Sequence, residues 1–88
     1  MVLSGEQLGC IGVRLCEGVG LETVVEGADA GFDGVEIMGS EGYLINEFTV
    51  THTNKRQDDW GGSAANRHRF PVDIVRAVRE RCGPDFLV

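Results

Sequence analysis

A carboxylate and a phenol, those of Glu41 and Tyr43, lie two residues apart just beyond a short apolar segment, residues 35–38. Alternation of the side chains in this segment predicts a strand, which Gly39 ends. α/β enzymes usually place their reacting groups just past the ends of such strands. Glu41 and Tyr43 are therefore candidate catalytic residues. On their own, a tyrosine after a strand more often packs against its neighbours, and a carboxylate near a helix N-terminus is favoured by the helix dipole.

The sequence contains no recognisable metal or phosphate motif. Cys10, Cys16 and Cys82 form no CxxC pair, and with only two histidines the chain has no credible zinc set. The glycines form neither a G-x-G-x-x-G pattern nor a P-loop. An odd number of cysteines without a secretory signal predicts reduced thiols, packed as small hydrophobic residues, in a cytoplasmic protein.

Composition limits the partners and the size of the core. A chain of 88 residues forms at most one small domain with a thin core. Its net charge of −6, from 8 basic and 14 acidic residues, argues against binding to nucleic acid or to an anionic membrane. No apolar run approaches the roughly 18 residues that span a bilayer, so a membrane protein is not expected.

The first half of the chain predicts a helix, a tight loop and a strand. Leu21, Val24, Val25 and Ala28 recur at the spacing of one helix face, and Gly31 is the expected left-handed stop. The strand at residues 35–38 follows after a short loop. Residues 1–20 have no clear period and are left unassigned as coil or strand, with residues 10–15 as a candidate strand.

The second half again predicts helical segments, which the strand described below follows. Residues 43–48 predict a short amphipathic helical turn, and residues 49–62 form a polar loop, long enough to suggest a function. Ser63 can cap a second helix, which Pro71 should kink or divide and which Gly83-Pro84 should end. The buried face of this helix repeats every four residues, at Phe70, Ile74, Val78 and Cys82.

Residues 86–88 predict another strand, so the order is helix, strand, helix, strand. A parallel strand is buried on both faces and needs neighbours at both edges. The chain is therefore expected to be an α/β slice of a repeating βα architecture.

Three stretches carry a resemblance to a known family: GVEIMGSEGYLINEF, THTNKRQDDWGGSAANRHRF and RERCGPDF. Over residues 24–88 the sequence resembles the old yellow enzyme and NADH:flavin oxidoreductase family, most closely its 2,4-dienoyl-CoA reductase branch. The resemblance implies a partial (β/α)8 TIM barrel, about two βα units from strand 4 to the start of strand 5. Residues 21–88 would be this fragment, and residues 1–20 do not match.

The same resemblance implies roles for four residues. Tyr43 matches the proton donor of the family, and Glu41 matches a carboxylate that assists it. Met38 stands where ene-reductases carry a substrate-binding histidine, and Glu41 stands where they carry a second histidine or an asparagine, which favours the dienoyl-CoA branch. His52 matches a basic residue that contacts substrate, although an exposed loop histidine is an equal alternative.

The implied activity is reduction of a conjugated C=C bond in a small acyl-CoA or enone, as in fatty acid β-oxidation. NAD(P)H would be the reductant and FMN the cofactor, with most FMN contacts outside this chain. FAD and a 4Fe–4S cluster would belong to a full-length parent. The alternatives are a non-catalytic truncated fragment, and an ene-reductase or amine dehydrogenase relative.

Other residues are expected to serve the architecture. The set consists of loop residues and two arginines that attach the loop to the barrel: Asn54, Arg56, Asp58, Trp60, Gly61, Gly62, Arg67 and Arg69. His68 is expected at the surface. On the strand, Val35 and Ile37 should face the helices, whereas Glu36 and Met38 should face the barrel interior, where Glu36 would need a polar partner.

Overall fold

The structure is a computed structural model, and it describes residues 2–3 and 19–88. The predicted strand at residues 10–15 lies outside these residues. The elements in chain order are β1 (Val2–Leu3), α1 (Val19–Asp29), β2 (Glu36–Ile37), α2 (Leu44–Thr49), α3 (Ala64–Arg67) and α4 (Arg69–Cys82). Within the described part, none of the helices combines the length and the apolar character that a membrane crossing requires.

Short parallel segments pair with both edges of the 34–37 stretch. On one edge, Val2 of β1 pairs with Glu36 of β2 and Leu3 pairs with Ile37. On the other edge, Gly34 forms a parallel bridge with Leu87. The predicted pairing of residues 86–88 is confirmed, whereas the strand at residues 2–3 was not predicted. Both predicted strands are shorter than expected, since residues 35–38 contribute two strand residues and residues 86–88 a single bridge.

Gly34 permits the close approach of these backbones. The Val35 N–H donates to the Leu87 carbonyl at 2.8 Å, and the Leu87 N–H donates to the Asp33 carbonyl at 2.9 Å. A Cβ added at Gly34 would lie 2.5 Å from the Leu87 Cβ, which no real contact allows. The bridge between the two segments therefore requires glycine at this position.

The core lies between one face of the strands and the helices. Its buried members come from three helices, α1, α2 and α4, and from the segments beside the strand bridge: Val24, Val35, Ile45, Phe70, Ile74, Val78 and Phe86. Val35 is buried and Ile37 packs against the core, as the alternation predicts, whereas Glu36 is exposed. Within the described part, the Glu36 carboxylate has no hydrogen bond or ion pair, so the partner expected for it is not among these residues.

Pro71 divides the second helix as predicted. Proline has no N–H to bond the Arg67 carbonyl, so α3 ends at Arg67 and α4 begins at Arg69, with His68 between them. The Ser63 hydroxyl caps α3 by accepting from the Asn66 N–H at 3.2 Å. At the other end, Gly83 ends α4 with a φ of 85°, a conformation that glycine adopts without a Cβ clash.

The face of α4 that points away from the core is also partly apolar. Val72 and Val75 are 49% and 41% exposed, and with Pro71 they line an open groove beside Arg76 and Arg79. We call Pro71, Val72 and Val75 the outer stripe. Their exposure contrasts with the complete burial of Ile74 and Val78 on the opposite face.

Valine-to-alanine substitutions on the two faces of α4 should have different effects on the free energy of unfolding. Val78→Ala should lower the free energy of unfolding of the 88-residue chain by about 2 kcal/mol, because it removes buried methyl groups and leaves a cavity. Val75→Ala in the outer stripe should change it by no more than about 0.5 kcal/mol. Urea unfolding followed by circular dichroism measures both, and equal losses would contradict the assignment of the buried face.

Candidate functional site

The chain reverses direction just after β2 through two consecutive left-handed residues. Glu41 has a φ of 67° and Gly42 a φ of 79°, and Glu41 is the one non-glycine residue with positive φ in the described part. This conformation costs a residue with a Cβ about 1–2 kcal/mol, whereas glycine adopts it readily. The turn therefore places both the Glu41 carboxylate and the next side chain, Tyr43, beyond the end of the strand.

Tyr43 occupies the N-cap position of α2 with an extended backbone, at φ −79° and ψ −179°. Its carbonyl accepts the first hydrogen bond of the helix, from the Glu47 N–H at 2.9 Å. The side chain is 50% exposed, and its hydroxyl has no hydrogen-bond partner among the described residues. The phenol is thus accessible to a ligand at this end of β2.

Met38, Glu41 and Tyr43 lie within six residues of one another in the segment between β2 and α2, whereas His52 lies beyond α2. Met38 is half-buried, Glu41 is exposed, and His52 is exposed in the turn that follows α2. Tyr43 precedes the six residues of α2 and His52 follows them. Six helical residues rise about 9 Å, so a ligand that contacts both side chains must extend along the helix.

The helix that carries Tyr43 is anchored by an aromatic cluster, Phe48, Trp60 and Phe70. The rings of Phe48 and Phe70 stack with centroids 4.4 Å apart and an angle of 21°. Trp60 packs edge-on against both rings, with centroids 6.5 Å away in each case. Ile45, which is 2% exposed, adds a second anchor one turn earlier. These contacts fix α2 against the start of α4.

Asn54 closes the loop that follows α2. Its side-chain amide donates to the carbonyls of Phe48 and Trp60, at 2.6 Å and 2.8 Å. The Oδ1 atom accepts from the Arg56 N–H at 3.0 Å, and the residue is 8% exposed. The prediction that Asn54 serves the loop architecture is confirmed, because it satisfies backbone groups that no strand or helix partner could.

An ion pair orders the tip of the same loop. The Arg56 guanidinium binds both carboxylate oxygens of Asp58, and Asp58 also accepts from the Trp60 N–H at 3.0 Å. The hydrogen bond from Arg56, followed by that from Trp60, lowers the pKa of Asp58 below its ordinary value of 3.8. Asp58 in turn raises the pKa of Arg56. The ionised pair therefore favours the folded loop.

Arg67 and Arg69 bond the backbone of the loop, as predicted, but they attach it to α3 and α4, and the predicted attachment to a barrel stays a prediction. Arg67 donates through Nε to the Thr49 carbonyl at 3.0 Å and through Nη1 to the Gly62 carbonyl. Arg69 donates through Nε to the Asp59 carbonyl at 2.7 Å. Between them, His68 is exposed, which confirms its predicted surface position.

Asn46 is a residue of this region that the sequence reasoning missed. Its side-chain Oδ1 accepts from the Gly42 N–H at 3.0 Å, across Tyr43. The signal that could have found it is its spacing, three residues after the helix N-cap. A polar side chain at that position reaches back to the backbone before the helix in the capping box.

Comparison with known proteins decides the family. Residues 23–88 match the model of the NADH:flavin oxidoreductase / NADH oxidase family. The chain belongs to this family. The membership inferred from the sequence motifs is thereby confirmed. The matched residues make up three quarters of the chain and include the turn after β2, α2 and the loop that follows α2.

Individual relatives of this flavin oxidoreductase segment are much longer proteins. Chanoclavine-I aldehyde reductase of Penicillium roqueforti is 51% identical over 57 residues, which are 65% of this chain and 15% of that protein. The old yellow enzyme homologue from Zymomonas mobilis superposes with a TM-score of 0.70 at 37% identity, over 76% of this chain and 19% of its own. A 2-naphthoyl-CoA reductase in complex with 2-naphthoyl-CoA superposes with a TM-score of 0.66 at 37% identity, over 80% of this chain and 12% of its own. The chain thus spans less than a fifth of each.

The arginines of this segment are engaged by other groups of the chain. Proteins hold phosphate groups with cations or backbone N–H groups that have no other partner. Each arginine among residues 21–88 already bonds a carboxylate or a carbonyl of the chain. The same residues contain no group of three or more side chains that could hold a metal ion. The arginines of this part are therefore not available to a phosphate group, and the resemblance implies that most FMN contacts lie outside this chain.

Cys82 has the character of a packing residue, as expected. It is a partly buried free thiol at the end of α4, and it packs against the core. Burial raises the pKa of its thiol. A raised pKa leaves less thiolate at neutral pH, which lowers the reactivity of the sulfur.

The Arg56–Asp58 pair makes a prediction about acid stability. Because the folded-state pKa of Asp58 is below 3.8, its contribution to stability is complete above that value and is lost as pH falls through the lower folded pKa. Asp58→Asn should therefore lower the thermal midpoint at neutral pH, and the gap to the wild-type chain should close below pH 3.8. Thermal unfolding by circular dichroism across this range measures the gap.

The neighbouring Asp59→Asn is the matched control, because the Asp59 side chain has no bonded partner among the described residues. It should leave the thermal midpoint unchanged at every pH. An equal effect of both substitutions would show that general charge, and not the ion pair, stabilises the loop.

Proposed function

We propose that this segment supplies the proton donor of an FMN-dependent oxidoreductase that reduces a C=C bond conjugated to a carbonyl group. The observation that carries the proposal is the Tyr43 phenol, half-exposed and without a hydrogen-bond partner in the described part, just past the end of β2. Membership in the NADH:flavin oxidoreductase family supports the reaction class. The proposal concerns a protein that also holds the rest of the active site.

The fold proposed for that protein is a (β/α)8 barrel in which this segment runs from strand 4 to the start of strand 5. Parallel pairing on both sides of the 34–37 stretch supports this fold, because each strand of a barrel has two neighbours. Only one face of β2 is covered here, and Glu36 on the other face is exposed. The barrel interior would cover that face, and a neighbouring helix would cover the outer stripe.

The proposed chemistry adds a hydride and a proton across the conjugated bond. A reduced flavin supplies hydride when it is bound, with NAD(P)H as the source of electrons. The electron pair of the double bond then forms an enolate, whose carbon must be protonated. A phenol O–H can give this proton as the enolate forms. The Tyr43 O–H bond breaks, the new C–H bond forms, and a phenolate remains on the protein.

We assign to Glu41 the return of a proton to the Tyr43 phenolate. It is exposed to solvent and lies two residues from Tyr43 on the same turn. A carboxylate that exchanges protons with water next to a phenolate can shorten the recovery of the donor. His52, at the far end of α2, is proposed to contact a distant part of an extended substrate such as an acyl-CoA.

The substrate class is proposed from two residues and two relatives. Met38 and Glu41 favour a 2,4-dienoyl-CoA, and the similar 2-naphthoyl-CoA reductase supports a CoA thioester. An unsaturated aldehyde or ketone is the second candidate, supported by the similar chanoclavine-I aldehyde reductase. FMN and NAD(P)H suffice for both. FAD and a 4Fe–4S cluster are not part of the proposal, because the match to the NADH:flavin oxidoreductase family supports FMN and NAD(P)H but neither of these two groups.

Replacement of the phenol tests the proposed donor. Tyr43→Phe in the FMN-loaded enzyme should lower the rate of substrate reduction by a factor of about 10²–10⁴, the usual contribution of a positioned general acid. Reduction of the flavin by NAD(P)H should not change, because that half-reaction needs no proton from Tyr43. Stopped-flow measurement of the two half-reactions separates them, and an unchanged rate of substrate reduction would remove Tyr43 from the mechanism.

Met38 tests the choice of substrate. Met38→His adds a hydrogen-bond donor where the family's ene-reductases carry one, so it should raise kcat/KM for an enone relative to that for a dienoyl-CoA by about threefold to tenfold, the effect of one hydrogen bond. Met38→Leu, which adds no donor, is the control. A wild-type enzyme that already prefers the enone would favour the second candidate.

A further inference from the structure

We propose that Asn46 is a positioning residue for the Tyr43 phenol, and that it acts by holding the Glu41–Gly42 turn. The inference rests on the proposed role of Tyr43 as proton donor. Its starting observation is the hydrogen bond from the Gly42 N–H to Asn46 Oδ1, 3.0 Å long. This bond joins the residue before Tyr43 to the first turn of α2 and so closes a loop around the donor.

Packing does not hold the turn. Glu41, Gly42 and Tyr43 are all exposed, and a Cβ added at Gly42 would meet no atom within 4 Å. The backbone of Glu41 is in a left-handed conformation that a residue with a Cβ rarely adopts. Among the described residues, the Asn46 carboxamide makes the one side-chain hydrogen bond to this turn. Loss of that bond would let the turn relax and carry Tyr43 with it.

The bond does more than cap α2. A capping side chain in the first turn reaches back to the N-cap N–H, which here would be that of Tyr43. Asn46 instead reaches one residue further, to Gly42, and so fixes the direction in which the chain enters the helix. The helix itself is anchored independently, by the buried Ile45 and by the stacking of Phe48 on Phe70. Removal of the carboxamide should therefore disturb the turn while α2 stays in place.

The test compares Asn46→Ala, Asn46→Asp and Glu47→Ala in the FMN-loaded enzyme. Asn46→Ala should slow substrate reduction by about 10- to 100-fold, since small misplacements of reacting groups have effects of this size. Flavin reduction by NAD(P)H and the Kd for substrate should stay within about twofold of wild type, because Asn46 acts only on the donor. Asn46→Asp keeps the acceptor oxygen and should recover the rate, and Glu47→Ala, an exposed neighbour on α2, should have no effect.

Two further measurements separate positioning from general stability. Hydrogen exchange at the Gly42 amide should become at least about tenfold faster in Asn46→Ala, but not in Asn46→Asp or Glu47→Ala, because the amide loses its acceptor. In the Tyr43→Phe background, Asn46→Ala should cause no additional loss of rate, since the two residues act as one unit. If Asn46→Ala fails to retain FMN, Asn46→Ser, whose side chain is too short to reach Gly42, replaces it.

The outcomes distinguish this inference from the proposed function. If Tyr43→Phe slows substrate reduction but Asn46→Ala does not, the donor stands and the positioning role is refuted. Additive losses in the double variant, or equal slowing of both half-reactions, also refute it. If Tyr43→Phe has no effect, the proposed function itself fails, whatever Asn46→Ala does to the exchange of the Gly42 amide.

Discussion

The stacking of Phe48 on Phe70 is the contact on which the candidate site depends. Helix α2 has six residues, too few to be stable in water by themselves. Its existence therefore depends on tertiary packing, which Ile45 and Phe48 provide against the start of α4. A stacked aromatic pair contributes about 0.5–1.5 kcal/mol beyond the burial of its area. Because Tyr43 is the N-cap of α2, its position depends on this contact.

The two sides of α2 are held in different ways. The loop after the helix is ordered by side chains that bond backbone carbonyls, namely Asn54, Arg67 and Arg69. These bonds satisfy backbone groups that have no partner in regular structure. Among the described residues, the turn before the helix has one side-chain hydrogen bond, in which Asn46 Oδ1 accepts from the Gly42 N–H. The turn that carries Glu41 and Tyr43 is thus held by fewer side-chain hydrogen bonds than the loop that follows α2.

Periodicity and chain breakers predicted most of the helices, whereas the carbonyls that Arg79 binds could not be predicted. The four-residue repeat of Phe70, Ile74 and Val78 identified the buried face of α4, and Pro71 identified its break from α3. Each of these signals lies within one element. The three carbonyls that Arg79 binds, on Gly83, Pro84 and Phe86, become neighbours only when the chain folds back after α4.

For the candidate site, the sequence indicated Glu41 and Tyr43 but not their conformation. Glutamate gives no signal of a left-handed φ, and the separation of His52 from Tyr43 follows from α2 lying between them. The roles of these residues remain hypotheses.

Gly34 limits how far a designer could reshape this segment. The missing side chain is what lets the backbone of one strand touch the backbone of the next, at Leu87. Any larger residue would wedge the two strands apart and shift everything that follows either of them, including the Met38–Tyr43 turn. A mutant library aimed at new substrates should therefore keep residue 34 as glycine, although it precedes the Met38–Tyr43 turn by four residues.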